Sequence, residues 1–193
     1  LYFGFTTYPK LDLISGFSAK SVASGHFMDH RSLDLIQKTD NDIHLLDLAT
    51  NTINDSGKFA TSAVYGLKER KAIYRDGLGA LLINDDYDIS KPYLLPKRTK
   101  LENNLPFPYG NNEPKDTAFA NVDYAKLKKA IDDSFDKDGG KAKRTRAVVV
   151  LYKDKLIGEK YDTGFNKNSK ILGWSMTKSI TSSAFGVLAK QGK

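Results

Sequence analysis

The chain has 193 residues, of which 40% are hydrophobic and 27% charged, and this favours a soluble globular protein with a sizeable core. Its net charge of +7 comes from 30 basic and 23 acidic residues that are interspersed along the sequence. The absence of cysteine excludes disulfides, a cysteine nucleophile and thiolate metal sites, and no run reaches the roughly 18 apolar residues of a membrane-spanning helix.

The N-terminal segment, "LYFGFTTYP", has no initiator methionine and is rich in aromatic residues. Such a start is typical of a mature protein or of the tail of an apolar leader. We therefore expect an exported protein, which would be periplasmic, secreted or membrane-anchored. Membrane attachment would require a leader upstream of Leu1.

Two short helices and a small sheet are expected in the first block, residues 1–91. Ser18–Met28 predicts one helix, and Ser32–Lys38 predicts a second that Ser32 caps. Alternation over residues 59–65 predicts a strand, and two further short strands flank a turn at Asp76–Gly77. A small antiparallel meander fits this pattern.

A linker is predicted over residues 92–115. Five of the six prolines lie between Pro92 and Pro114, in a segment with many turn formers and no hydrophobic periodicity. This composition favours a linker or an extended wrap. It separates the first block from a second one, residues 116–193.

The second block begins with an amphipathic helix, in which apolar residues recur at helical spacing: Leu127, Ala130, Ile131 and Phe135. The β-branched run that follows predicts a hairpin over residues 144–161, with a turn near Lys153–Asp154. A last helix carries an apolar stripe that ends at Gly192; its members are Met176, Ile180, Ala184, Val187 and Leu188. The predicted fold class is therefore α+β.

Metal, nucleotide and nucleic-acid sites receive little support. His26 and His30 are four residues apart, so their side chains could bind one metal ion from the same helix face. No third ligand is evident, and we therefore favour ordinary histidines without a metal. We interpret the basic run Lys141–Arg146 as a solvated loop rather than a nucleic-acid-binding site, because no aromatic stacking motif accompanies it. No glycine-rich nucleotide signature is present. We predict no metal or organic cofactor.

The stretch "GWSMTKS" places Ser175 and Lys178 three residues apart at the start of the last helix. This spacing brings a hydroxyl and an amine to one helix face, where a deprotonated lysine can activate a serine nucleophile. Free amides and the dipole at the helix N-terminus would favour an oxyanion on the attacked carbonyl. The small residues around Lys178 would let this helix pack closely on all sides. The alternative is that Ser175 is only an N-cap.

The segments "RAVVVLYKDKLIGEKYDTGF" and "LGWSMTKSIT" resemble the serine β-lactamase-like hydrolases, especially the class C β-lactamase-related group with its esterases, D-amino-acid peptidases and 6-aminohexanoate-dimer hydrolases. The order of helix, hairpin, loop and SxxK helix is similar, and the resemblance covers about residues 122–193. The segment "SAKSVASGHF" resembles an N-terminal extension of some members, which often carry a cysteine where this chain has Ala23.

The resemblance implies the start of a β-lactamase-like, penicillin-binding-protein-like domain over residues 116–193. Ser175 would be the acylated nucleophile, Lys178 its base, and the Ser175 N–H half of the oxyanion hole. The substrate would be a small-molecule or peptide amide or ester. The alternative is a non-catalytic binding or interaction module of the same fold.

The family also needs two motifs that this sequence does not contain. One is a YxN-type motif that supplies a tyrosine base, and this chain has no tyrosine after Ser175. The other is a KTG- or HxG-like strand that supplies the second oxyanion amide. We therefore expect this chain to be an N-terminal portion of a longer enzyme and to be nearly inactive alone.

Overall fold

The computed structural model describes residue 6 and residues 8–97, 104–115 and 117–193. These residues form a mixed α+β fold, which confirms the predicted class. Three predicted features fall outside the described residues: most of the N-terminal aromatic segment (1–5 and 7), the middle of the linker (98–103) and the boundary residue 116. The division into residues 1–91, 92–115 and 116–193 stays a prediction.

The first part of the chain consists of one long helix across a four-stranded antiparallel sheet. The sheet has the strand order β1-β2-β3-β4, so each strand pairs with its neighbour in the sequence. This is the predicted meander with one additional strand. The elements are α1 (Tyr8–Asp29), β1 (Ala49–Asn54), β2 (Phe59–Val64), β3 (Leu67–Arg75) and β4 (Gly79–Ile83).

Helix α1 starts ten residues earlier than the predicted helix at Ser18. Pro9 is compatible with the first turn, where its missing N–H needs no partner, and Leu11 is buried against Ala49 and Val64. The early turns were missed because the buried face of α1 is rich in serine, glycine and alanine. Such a face gives little contrast between apolar and polar positions.

Small residues bring α1 close to the sheet and to the next helix, α2 (Leu33–Thr39). Ala19, Val22 and Ala23 form one core cluster with Ile36 of α2 and with alanines of β2 and β3. The N-cap prediction is confirmed, because Ser32 Oγ accepts a hydrogen bond from the Leu35 N–H at 3.2 Å.

One turn of the sheet confirms a prediction, whereas the first strand of the sheet was not predicted. Asp76–Gly77 connects β3 to β4, and Gly77 has a φ of +81°, a conformation that glycine adopts without strain. Strand β1 lacks a clear apolar alternation because it buries Asn51, whose Oδ1 accepts a hydrogen bond from Ser18 Oγ at 2.7 Å.

The second block contains α3 (Tyr124–Asp133) and the hairpin β5 (Ala147–Tyr152) and β6 (Lys155–Tyr161). Lys153 and Asp154 have φ values of +48° and +57°, as a type I′ hairpin turn requires, so the predicted turn is confirmed. Helix α3 lies close to β6 because Gly158 leaves room for Ile131; a Cβ at position 158 would lie only 2.7 Å from Ile131 Cδ1.

Contacts with α1 position the segment that leads to the last helix. The Lys170 N–H donates a hydrogen bond to Asp29 Oδ1 at 2.8 Å. The ring of Trp174 stacks on that of Phe17, with centroids 5.5 Å apart. A 3-10 turn, Trp174–Met176, then precedes helix α4 (Thr177–Lys190).

Candidate active site

Ser175 and Lys178 are in direct contact at the start of the last helix. Lys178 Nζ donates a hydrogen bond to Ser175 Oγ over 3.1 Å. The two side chains thus lie on one face, which is the geometry that the three-residue spacing predicts. Their catalytic roles stay a prediction.

The prediction that Ser175 begins the helix needs a correction. Ser175 lies in the 3-10 turn, and α4 begins two residues later at Thr177. A tighter first turn is frequent at α-helix N-termini, because it satisfies backbone groups that the α-helical pattern leaves open.

The N-cap interpretation of Ser175 is not supported by its contacts. No side chain caps the 3-10 turn or α4. Among the described residues, Lys178 Nζ is the hydrogen-bond partner of the Ser175 hydroxyl. The hydroxyl is therefore directed at the amine rather than at the backbone.

Backbone N–H groups at Ser175 precede the hydrogen-bond ladder of the helix. The first bond of the turn runs from the Met176 N–H to the Gly173 carbonyl at 2.9 Å. The N–H groups of Trp174 and Ser175 come before it, where a helix has no acceptor of its own to offer. Such amides, together with the helix dipole, favour a negative charge at this end of the helix.

Trp174 has a backbone conformation that bulky residues rarely adopt. Its φ is +45°, in the left-handed region. The ring stack on Phe17 is one contact that offsets the strain, and such strain concentrates at functional sites. Trp174 is the residue directly before the candidate nucleophile, Ser175.

Close packing around α4, which its small residues favour, is not observed. No residue of α4 is buried, and Lys178 is exposed. Its large apolar residues are exposed as well; Ile180, for example, is 72% exposed. Among the described residues, the contacts that fix this region are made by the segment before the helix and by Trp174, so the close packing of α4 stays a prediction.

A second lysine–serine pair lies on α1 and was not predicted from the sequence. Lys20 Nζ donates a hydrogen bond to Ser24 Oγ at 2.7 Å, and partial burial lowers the pKa of Lys20. The spacing of four residues places both side chains on one helix face, and it was the sequence feature that could have predicted this pair. Ser24 lies inside a helix whose N–H groups are already hydrogen-bonded, so this pair has no free amides for an oxyanion.

The histidines do not form a metal site. His26 Nδ1 contacts the Arg31 carbonyl at 3.1 Å and His26 Nε2 contacts Asp55 Oδ1 at 2.7 Å, while His30 lies beyond the end of α1. Within the described ranges, no group of three or more histidine, aspartate or glutamate side chains has a metal-binding arrangement.

The basic run contacts carboxylates instead of extending into solvent. Lys141 Nζ lies 2.8 Å from Asp42 Oδ2, Arg146 pairs with Asp40, and the Lys143 N–H donates to Asp136. The interpretation as a simply solvated loop is therefore incomplete, because Lys141 and Arg146 connect the start of the hairpin to the segment after α2, and Lys143 connects it to the segment after α3.

Comparisons with protein-family models, curated proteins and solved structures found no match to this chain. Of the helices that the structure describes, none has the length and apolar character needed to cross a membrane. The resemblance to the β-lactamase-like hydrolases therefore rests on the sequence motifs alone.

Proposed function

We propose that this chain carries the nucleophile of a serine hydrolase that cleaves an amide or ester through an acyl-enzyme on Ser175. The observation that carries the proposal is the 3.1 Å hydrogen bond from Lys178 Nζ to Ser175 Oγ at a helix N-terminus. The motif resemblance supports the finer assignment to a β-lactamase-like domain over residues 116–193.

The chemistry follows from the roles of the two side chains. Neutral Lys178 accepts the Ser175 hydroxyl proton as Oγ bonds to the substrate carbonyl carbon. The carbonyl π electrons move to oxygen, and the Ser175 N–H stabilises the resulting oxyanion. Collapse breaks the bond to the amine or alcohol, which takes the proton from the Lys178 ammonium. Water then hydrolyses the acyl-enzyme.

Two features limit turnover by this chain. A lysine acts as a base only when it is neutral, and burial or neighbouring cations are the usual means of making it so. Lys178 is exposed, and the tyrosine base that the resemblance implies is not among the residues of this chain. We therefore expect acylation to be slow and deacylation slower still.

The exposure of α4 favours a second candidate, a non-catalytic binding module. Ile180 and Val187, two turns apart on one face, present apolar surface of the kind that marks interaction sites. In that case Ser175 and Lys178 would be surface residues without a chemical role.

Burst kinetics with a chromogenic ester distinguish the two candidates. We expect a burst of at most one equivalent of product per chain, followed by a steady rate on the order of a hundredfold or more below the burst rate, because the second base and the second oxyanion amide that the resemblance implies are not among the residues of this chain. Ser175→Ala should abolish the burst, and Ser182→Ala, an exposed serine on the same helix, should retain it. No burst, or a burst that survives Ser175→Ala, would favour the binding module.

A further inference from the structure

An apolar cavity of about 300 Å³ lies between α1, β4 and the segment that precedes Ser175. Its size is at the lower end of the range for small-molecule pockets. Its walls are apolar side chains from three separate parts of the chain: Phe17, Leu82, Leu172 and Trp174. It is distinct from the Ser175–Lys178 pair, although Trp174 is the residue before Ser175.

Gly16 makes the floor of this cavity possible. A Cβ at position 16 would lie 3.1 Å from Leu82 Cδ2, closer than ordinary contacts allow without adjustment. The glycine thus lets β4 approach α1, and the Phe17 ring next to it forms a wall. The Trp174 ring, which stacks on Phe17, extends this wall and is 61% exposed, so the cavity is accessible.

Two polar residues, Lys20 and Ser21, also line the cavity. Lys20 Nζ donates to Ser24 Oγ, and no carboxylate of the described residues lies within 4 Å of it. Some other basic residues near the sheet do have a carboxylate partner. Arg70 pairs with Asp12, for example, and Lys58 pairs with Asp76.

We propose that this cavity binds an amphiphilic monocarboxylate, a medium-chain aliphatic acid, whose chain lies between the apolar walls and whose carboxylate pairs with Lys20 Nζ. Apolar walls with one uncompensated cation are complementary to a ligand with an apolar body and a single negative charge. A neutral ligand would leave the cation unpaired.

The protonation of Lys20 is consistent with this ligand. Partial burial without an anionic partner lowers the pKa of the Lys20 amine. A carboxylate beside Nζ would favour the charged form and reverse this effect. The proposal does not depend on the chemistry of Ser175.

Tryptophan fluorescence tests the proposal directly, because Trp174 is the only tryptophan of the chain. We would titrate the protein with sodium octanoate, below the concentration at which it forms micelles, and in parallel with octanol, which has the same chain without the charge. We expect a saturable change with octanoate and an affinity for octanol that is lower by about tenfold or more. Equal affinities, or no saturable change, would overturn the proposal.

Variants locate the site and separate it from the proposed hydrolase activity. Lys20→Met should bind octanoate about tenfold or more weakly, and Lys20→Arg should retain binding. Lys10→Met, on an exposed part of the same helix, should leave binding unchanged. Ser175→Ala should also bind normally, so that loss of hydrolysis and loss of binding are distinguishable. Undiminished binding by Lys20→Met would contradict the assignment.

Discussion

A buried ion cluster connects the N-terminal and C-terminal parts of the molecule. Arg31 Nη2 lies 2.6 Å from Asp40 Oδ2, and Arg31 Nε lies 2.8 Å from Asp29 Oδ2, although neither contact is aligned as a hydrogen bond. Arg146 at the start of the hairpin also pairs with Asp40. The Arg31 and Arg146 guanidinium groups both lie near the Phe165 ring.

Removal of Arg31 should destabilise the fold strongly. In Arg31→Met, two buried carboxylates lose a cationic partner, and breaking a buried ion pair from one side typically costs about 3–5 kcal/mol. Lys38→Met is the matched control, because Lys38 pairs with Asp34 on an exposed helix surface and such pairs contribute less than about 0.5 kcal/mol. Urea unfolding measures both, and equal losses would contradict the importance of the buried cluster.

Asp132 gives the fold a pH-dependent contribution. Hydrogen bonds from Lys128 and Lys160 lower the pKa of Asp132 from 3.8 to about 2. Because the folded pKa is below the unfolded one, this contribution is fully present above about pH 5 and is lost as the pH falls towards 2. Asp132→Asn should therefore differ most from the parent in free energy of unfolding near pH 6.

The two stability curves should converge as the pH decreases from 4 to 2. In a Lys160→Met background, the effect of Asp132→Asn should be smaller throughout, because one of the two donors is gone. Urea unfolding at a series of pH values measures this. A difference between Asp132→Asn and the parent that stays constant from pH 6 to pH 2 would refute the interpretation.

At the scale of elements, the packing of α3 on the hairpin depends on one close approach. Gly158 faces Ile131, and a Cβ at position 158 would meet Ile131 Cδ1 at 2.7 Å and Leu127 Cδ2 at 3.5 Å. The φ of Gly158 is not positive, so the constraint is steric rather than conformational.

Gly158→Ala should destabilise the chain by about 1–3 kcal/mol through overpacking. Ile131→Val removes the Cδ1 atom that the new methyl group would meet, and alone it should cost about 0.5–1.5 kcal/mol. The double variant should therefore be more stable than the sum of the single effects predicts. Strict additivity in thermal unfolding would show that the two residues do not compete for the same space.

Elements whose signals are local were predictable from the sequence, and those that depend on distant partners were not. The Ser32 cap and the turns at Asp76–Gly77 and Lys153–Asp154 follow from the preferences of the residues themselves. Strand β1 was missed because the burial of Asn51 depends on Ser18, which lies 33 residues away.

The candidate site, too, was predictable only where its contacts are local in the sequence. Helical spacing predicted the contact between Ser175 and Lys178, since it is made within one turn. The left-handed φ of Trp174 depends on surroundings such as Phe17, far away in the sequence. The Lys20 cavity likewise needs β4 and residues 172–174 to be placed against α1, which no local pattern indicates.

At the scale of the whole molecule, the candidate nucleophile lies on the least enclosed element. Helix α4 has no buried residue, while α1 and the four-stranded sheet enclose the described core clusters. Ser175 is thus held from one side only, through Trp174 and its stack on Phe17. This arrangement is compatible with formation of an acyl-enzyme, but it leaves Lys178 exposed to solvent.

Mass spectrometry of a serine-reactive adduct tests the central claim, that Ser175 is the nucleophile, most directly. After treatment with a fluorophosphonate, peptide mapping should place the adduct on Ser175, formed at least about tenfold faster than on Ser179, Ser182 or Ser183 of the same helix. Lys178→Met should slow the labelling while the melting temperature stays unchanged. Equal labelling of the four serines, or labelling that Lys178→Met does not alter, would contradict the claim.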